Sequence, residues 1–204
     1  MQPSAYRETG WRKRESTGSR PTIGTLPPRH LPHIPTRRKP NSSDQRNARR
    51  KTEARINTFD NFKATIQAEN GEPLDLHFIA VQSRAPSANA IPIVLLHGWP
   101  GSFLEFLDLL DLVRAKYGAD ELPYSFIVPS LPGYGFSSGP SLQRESTCES
   151  MAFAVEALMI GLGFRDGYVA QGGDIGSYVA RILGAKFSAR AVHGELCSGC
   201  GAPL

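Results

Sequence analysis

Hydrophobic and polar positions divide the chain near residue 56. Before that point Pro, Ser, Thr and Arg dominate and large apolar residues are scarce. Residues 1–55 are therefore expected to be a disordered tail, because they cannot bury enough surface to offset the entropy of ordering. From Phe62 onward apolar positions recur at strand and helix periods. Residues 64–69 and 74–81 flank Asn70-Gly71, which predicts a hairpin. The run 91–96, Ile-Pro-Ile-Val-Leu-Leu, lacks polar alternation and predicts a strand buried on both faces, as in a parallel sheet. Ser102 and Glu105 then stand at capping-box spacing, and Phe103, Phe106, Leu107, Leu110 and Val113 form a helical stripe that Gly118 ends.

The alternation continues with a strand at 125–129, a Gly/Pro/Ser loop to Pro140, and a helix capped by Ser146 with Glu149. A strand at 167–171, a helix from about Gly176 to Phe187 and an apolar segment from Ala191 complete the pattern. Strands alternating with helices behind a leading hairpin predict an α/β fold with a mainly parallel sheet over residues 56–204.

Composition narrows the class. With 204 residues, 40% hydrophobic and 21% charged, the chain has the content of one globular domain. No apolar run approaches the roughly 20 residues of a bilayer span, and the first twenty residues hold no secretory apolar core of about 7–15 residues. Three cysteines, Cys148, Cys197 and Cys200, give no even set of half-cystines, so an intracellular, cytoplasmic location is expected. Cys197 and Cys200 make one C-x-x-C without a second ligand pair and are read as incidental thiols. No metal or cofactor is implied.

The net charge of +4 belongs to the tail. Residues 1–55 hold fourteen Lys and Arg against four acidic residues, whereas nine face fifteen beyond. Clusters such as Arg12-Lys13-Arg14, Arg37-Arg38-Lys39 and Arg49-Arg50-Lys51 attract phosphate-like charge, but the reading adopted is a solvated tail with no nucleic-acid partner. Pro21, Pro27, Pro28, Pro32 and Pro35 would interrupt the amphipathic helix of a mitochondrial presequence.

In open α/β sheets, chemistry sits in the turns after the strands. The sharpest such turn is Gly172-Gly173-Asp174-Ile175-Gly176, between a predicted strand and helix, with the G-x-nucleophile-x-G form of a nucleophile elbow. It would push the Asp174 carboxylate into the crevice. Gly135-Phe136-Ser137-Ser138-Gly139 also fits G-x-S-x-G, but no apolar strand precedes Ser137 and Pro140 follows the motif directly, so a loop is expected there. Asp174 alone would read as an ordinary helix N-terminal acid. The turn His97-Gly98-Trp99-Pro100-Gly101 changes that weighting, because the backbone N–H of Trp99, paired with that of Ile175, could form an oxyanion hole. His97 is read as a structural member of that turn.

Three motifs together, His97-Gly98-Trp99-Pro100-Gly101-Ser102-Phe103, Pro129-Ser130-Leu131-Pro132-Gly133-Tyr134-Gly135-Phe136-Ser137 and Gln171-Gly172-Gly173-Asp174-Ile175-Gly176-Ser177, resemble the microsomal-type epoxide hydrolases of the α/β-hydrolase superfamily. The resemblance runs from about Asn57 to His193. It implies a small-molecule epoxide substrate and hydrolysis to a vicinal diol through an aspartyl alkyl ester, with Asp174 as nucleophile. A carboxylate suits this chemistry because water can cleave the resulting ester, whereas serine would leave a stable ether. Haloalkane dehalogenases share the fold and nucleophile but usually place a halide-holding tryptophan next, where this chain has Ile175.

The resemblance also implies a water-activating histidine, an acid that orients it, and lid tyrosines. Thirty residues follow Asp174, and His193, their sole histidine, is read as structural. The expectation is thus the N-terminal half of the fold, truncated before the lid, with an unpaired sheet edge, marginal solubility and impaired hydrolysis. The alternatives are a non-catalytic remnant that binds a partner through its edge or tail and, more weakly, a serine esterase using Ser137. Substrate size, enantiopreference and oligomeric state are not legible. The purified 204-residue protein is expected to turn over an epoxide very poorly, and robust multiple turnover in a diol assay would contradict this.

Overall fold

The computed structural model describes residues 43–83, 90–118, 120–139 and 145–195. Six strands form one sheet: β1 (Asp60–Gln67), β2 (Pro73–Val81), β3 (Ile91–Leu96), β4 (Tyr124–Pro129), β5 (Tyr168–Gly173) and β6 (Ala189–Glu195). Their spatial order is β1-β2-β4-β3-β5-β6. The β1–β2 hairpin is antiparallel and turns at Gly71, whose φ of 82° suits glycine. β2 also meets β4 antiparallel, whereas β4, β3, β5 and β6 run parallel. The helices are α1 (Ser43–Ile56), α2 (Leu107–Lys116), α3 (Cys148–Gly161) and α4 (Ile175–Lys186). Three of them lie in the crossovers between parallel strands, as that topology requires.

The strands sort their side chains by the two-residue period. Val94 and Leu96 of β3, Ile127 of β4, and Leu74, Leu76, Phe78 and Ala80 of β2 enter one core with α3 and α4. Leu95, Ile79, Phe126 and Val128 point the other way and pack with Phe103, Phe106, Leu107 and Leu110 around α2. Burial on both faces explains why β3 and β4 read as continuous apolar runs.

Three expectations shift. The segment 43–56 is helical, although it falls within the stretch expected to be disordered up to residue 55; residues 1–42 lie outside the described residues, as do Cys197 and Cys200. Good helix formers, rather than an apolar stripe, build α1. Its last turn docks through Arg55, which bonds Asp108 and Asp111 of α2, and through Ile56 packed on the second core. The first turn after Ser102 is a 3-10 turn, Phe103–Phe106, so the expected capping box does not close. The Ser102 hydroxyl accepts from Leu104 N–H, and Glu105 turns elsewhere. At α3 the cap is Thr147 rather than Ser146, in a reciprocal box with Ser150.

Two polar networks cross the core. Glu156, on α3, accepts from Tyr168 Oη at 2.6 Å and Ser188 Oγ at 2.6 Å, tying the helix to the start of β5 and the approach to β6. His77, fully buried on β2, is held between Asn61 and Ser130. Because the Asn61 amide donates to the Ile56 and Phe59 carbonyls, its oxygen faces the ring, so Nε2 carries the proton and Nδ1 accepts from Ser130.

Burial, with a smaller contribution from nearby Lys63, lowers the His77 pKa to about 4 from 6.5. The unfolded chain therefore binds the extra proton more readily, and the contribution of neutral His77 is full above 6.5 and is lost as the pH falls toward 4. Chemical denaturation at pH 7 and pH 4.5 is expected to show a stability loss about 2–3 kcal/mol smaller in His77→Gln than in the wild type.

Candidate functional site

The site forms where β3 and β5, adjacent and parallel, both end. Strand β5 runs into Asp174 with φ 49° and ψ −123°, the one positive-φ non-glycine among the described residues. Such a conformation costs on the order of 1–3 kcal/mol and persists only where its surroundings enforce it. The enforcement is close packing. A Cβ on Gly176 would lie closer than 3.0 Å to the Leu96 carbonyl, and one on Gly172 would meet the Gly176 backbone equally closely. Helix α4 can therefore start hard against the end of β3, leaving the Asp174 side chain to project outward. The turn is secured by Asp174 N–H donating to the Glu195 carbonyl at 3.2 Å and by Ser177 Oγ donating to the Asp174 carbonyl at 2.6 Å.

Facing it is the turn after β3. Trp99 N–H donates to Asp174 Oδ2 at 2.7 Å. This donor and then the Ile175 N–H hold the Asp174 carboxyl below the usual aspartate range, against a smaller opposing effect of burial. The two N–H groups picked out as an oxyanion hole thus converge on one carboxylate. The Trp99–Pro100 peptide is cis, and the Trp99 ring is 67% exposed at the mouth of the crevice. The crevice, about 520 Å³, is lined by Gly98, Trp99, Pro100, Gly101, Glu105, Gly173, Asp174 and Glu195.

His97 is completely buried, and its Nε2 accepts from Leu131 N–H at 3.1 Å while Nδ1 faces the Gly98 carbonyl at the same distance. Both nitrogens are committed to joining the 97–101 turn to the 130–137 loop, and burial lowers the ring's pKa, so the residue is structural. Ser137 is equally occupied: its Oγ donates to the Ser130 carbonyl at 2.7 Å and accepts from His77 N–H at 3.0 Å. It stands on a loop braced against β2, not on an elbow. His193 lies on the exposed strand β6, opposite Gln171 in register and not among the crevice-lining residues.

Sequence reasoning missed two crevice residues. Glu105 was assigned to a helix cap, whereas its carboxylate sits beside Gly101 and Gly98 in the crevice wall. Glu195 had no role assigned, yet it lines the crevice and its carbonyl receives the Asp174 N–H. One helical turn separates Gly101 from Glu105, which was the available signal for the first. Among the described residues no group of three or more His, Cys, Asp and Glu could hold a metal ion, and no helix is long and apolar enough to cross a membrane.

Comparison with known proteins agrees with this geometry. Residues 91–195 match the family described as alpha/beta hydrolase fold, and residues 45–106 match the one described as epoxide hydrolase N terminus. The Aspergillus niger epoxide hydrolase structure is similar at a TM-score of 0.68 and 48% identity, over 76% of this chain and 38% of that one. A candidate epoxide hydrolase of Dothistroma septosporum is 42% identical over 129 residues, 63% of this chain and 30% of the relative. Juvenile hormone epoxide hydrolase 1 of Ctenocephalides felis is 31% identical over 72% of this chain and 31% of its own length. The chain thus spans about three-tenths of the curated relatives it matches.

A lowered pKa keeps Asp174 charged well into mild acid. Its alkylation by a neutral epoxide, followed by intact mass, is expected to proceed at a constant rate from pH 8 to below pH 5 and to fall only as the carboxyl protonates. A rate already halved near pH 5 would mean that the N–H donors do not hold the charge in solution.

Proposed function

The chain belongs to the α/β-hydrolase fold family, on its epoxide-hydrolase branch, and on that premise we propose that Asp174 is the nucleophile that opens an epoxide. What carries the reading is the pairing of an outward carboxylate on a φ 49° turn with a backbone N–H 2.7 Å from its Oδ2.

The steps follow from the residues. One Asp174 oxygen attacks an epoxide carbon, forming an ester C–O bond as the ring C–O bond breaks, and the ring oxygen leaves as an alkoxide that takes up a proton. Water then adds to the ester carbonyl, negative charge collects on the former carboxylate oxygen, and the N–H groups of Trp99 and Ile175 stabilise it, each worth about 3–4 kcal/mol. Collapse releases the diol and returns Asp174 with one oxygen derived from water. The N–H groups that hold the resting carboxylate become the oxyanion hole without rearrangement.

Among the described residues no histidine or tyrosine lines the crevice. The proton donor for ring opening and the base for ester hydrolysis are therefore not among these lining residues, and the ester is expected to form faster than this lining alone can cleave it. The substrate is a small, uncharged epoxide: three acidic residues, Asp174, Glu105 and Glu195, stand in the lining and among the described residues no cationic residue joins them, which disfavours an anionic ligand.

Incubating the protein with styrene oxide and digesting it is expected to yield a covalent adduct on the peptide containing Asp174. Asp174→Asn should lower adduct formation at least about a thousand-fold. Adduct formation at the wild-type rate in that variant would remove Asp174 from the mechanism.

A further inference from the structure

The His97–Gly101 turn is gripped from two sides by carboxylates. On one side Asp174 receives the Trp99 N–H, and a Cβ at Gly98 would stand 2.8 Å from Asp174 Cβ. On the other, the Glu105 carboxylate fills the space a side chain at residue 101 would need, with Oε2 closer than 3.0 Å to that Cβ position. The backbone N–H groups of two consecutive residues, Gly98 and Trp99, thus lie beside two different acids, Glu105 and Asp174. The Gly98–Trp99 peptide carries the Trp99 N–H, so holding Gly98 and Gly101 in place limits the rotation that would turn that N–H away from Asp174. Glu105 contributes to this although the residue is exposed, and its place follows from the 3-10 turn at Phe103–Phe106, which swings it back toward the loop.

We propose that Glu105 is a positioning residue that keeps the Trp99 N–H aimed at the reacting carboxyl while Asp174 is esterified. The proposal rests on Asp174 being the nucleophile. The resting enzyme does not need this help, because charged Asp174 attracts the Trp99 N–H itself. Alkylation abolishes that charge, and a neutral ester carbonyl is a weaker acceptor. The turn would then be free to drift at the stage before the oxyanion forms. Glu105 is not alkylated, and its hold on Gly98 persists through that interval. Partial burial and, less strongly, the Asp174 charge raise its pKa, while the Gly98 N–H opposes them. Esterification of Asp174 removes the repulsive charge, so Glu105 becomes a more secure anion when it is needed.

Ester hydrolysis can be read without a base residue by letting hydroxide attack. At pH 9 hydroxide adds to the ester carbonyl, the carbonyl-to-alkoxy bond breaks, and the departing alkoxide takes a proton from water. The styrene oxide adduct of the wild type, Glu105→Gln and Glu105→Ala is prepared, and its loss is followed by intact mass. Glu105→Ala is expected to lose the adduct about tenfold more slowly. Glu105→Gln, which keeps an acceptor for Gly98, is expected to hydrolyse within about threefold of wild type. Equal hydrolysis in wild type and Glu105→Ala, or equal slowing in both variants, would overturn the proposal.

A second readout needs no adduct. Amide hydrogen exchange at Gly98 in the free proteins should quicken in Glu105→Ala and not in Glu105→Gln, while Trp99, held by charged Asp174, is unchanged; unchanged exchange at Gly98 in Glu105→Ala would overturn the proposal equally. Absence of any adduct on wild-type Asp174 counts against the nucleophile reading, while the exchange rates still decide whether Glu105 orders the turn.

Discussion

The close approach of α4 to the end of β3 is the constraint on which the site depends. Gly176 lies against the Leu96 carbonyl at a separation no side chain could share. That contact brings the two strand ends together, forces Asp174 to φ 49°, and sets its carboxylate within reach of Trp99 N–H. The strain at Asp174 is sustained by the two buried cores behind it, since β3 and β5 are each paired on both sides and cannot retreat. Binding, charge and geometry at the crevice are therefore consequences of main-chain packing, with few side chains involved.

The same reasoning explains the composition of the turn opposite. His97, which a search for a proton carrier would select first, is buried with both ring nitrogens committed to backbone groups. It fastens the 97–101 turn to the neighbouring loop, and Tyr134 packs edge-on against it at 5.0 Å between ring centroids. A neutral, fixed imidazole suits that task because it offers one donor and one acceptor in opposite directions. Ser130, Ser137 and His77 continue the bracing toward β2. The second motif of the resemblance thus has a mechanical role: the Ser130 hydroxyl is spent on the His77 ring and that of Ser137 on backbone partners.

Much of this was legible in the residues. Strands β3 and β4 announced themselves by unbroken apolar runs, the hairpin by Asn70-Gly71, and the elbow by three glycines around an acid, because each depends on local chemistry. What escaped depends on distant partners. Helix α1 has no apolar stripe and is anchored by Arg55 reaching Asp108 and Asp111, a pairing invisible along the chain. Glu105 satisfied a local capping rule, and only the tighter 3-10 geometry of its turn sent it to the crevice. Glu156 and Tyr168 are buried together by packing between α3 and β5, a pairing that no local spacing marks.

Strand β6 adds a different consequence. Six of its seven residues are exposed, and it forms one edge of the described sheet, yet its Glu195 carbonyl receives the Asp174 N–H. An edge strand with one covered neighbour has a low free energy of local opening, and amides fastened to it share its fluctuations. The Asp174 turn is thus rigid toward β3 and compliant toward β6. Whatever packs against that edge will set how long the carboxylate dwells in the orientation that receives the Trp99 N–H, so that the edge acts as a damper on the turn.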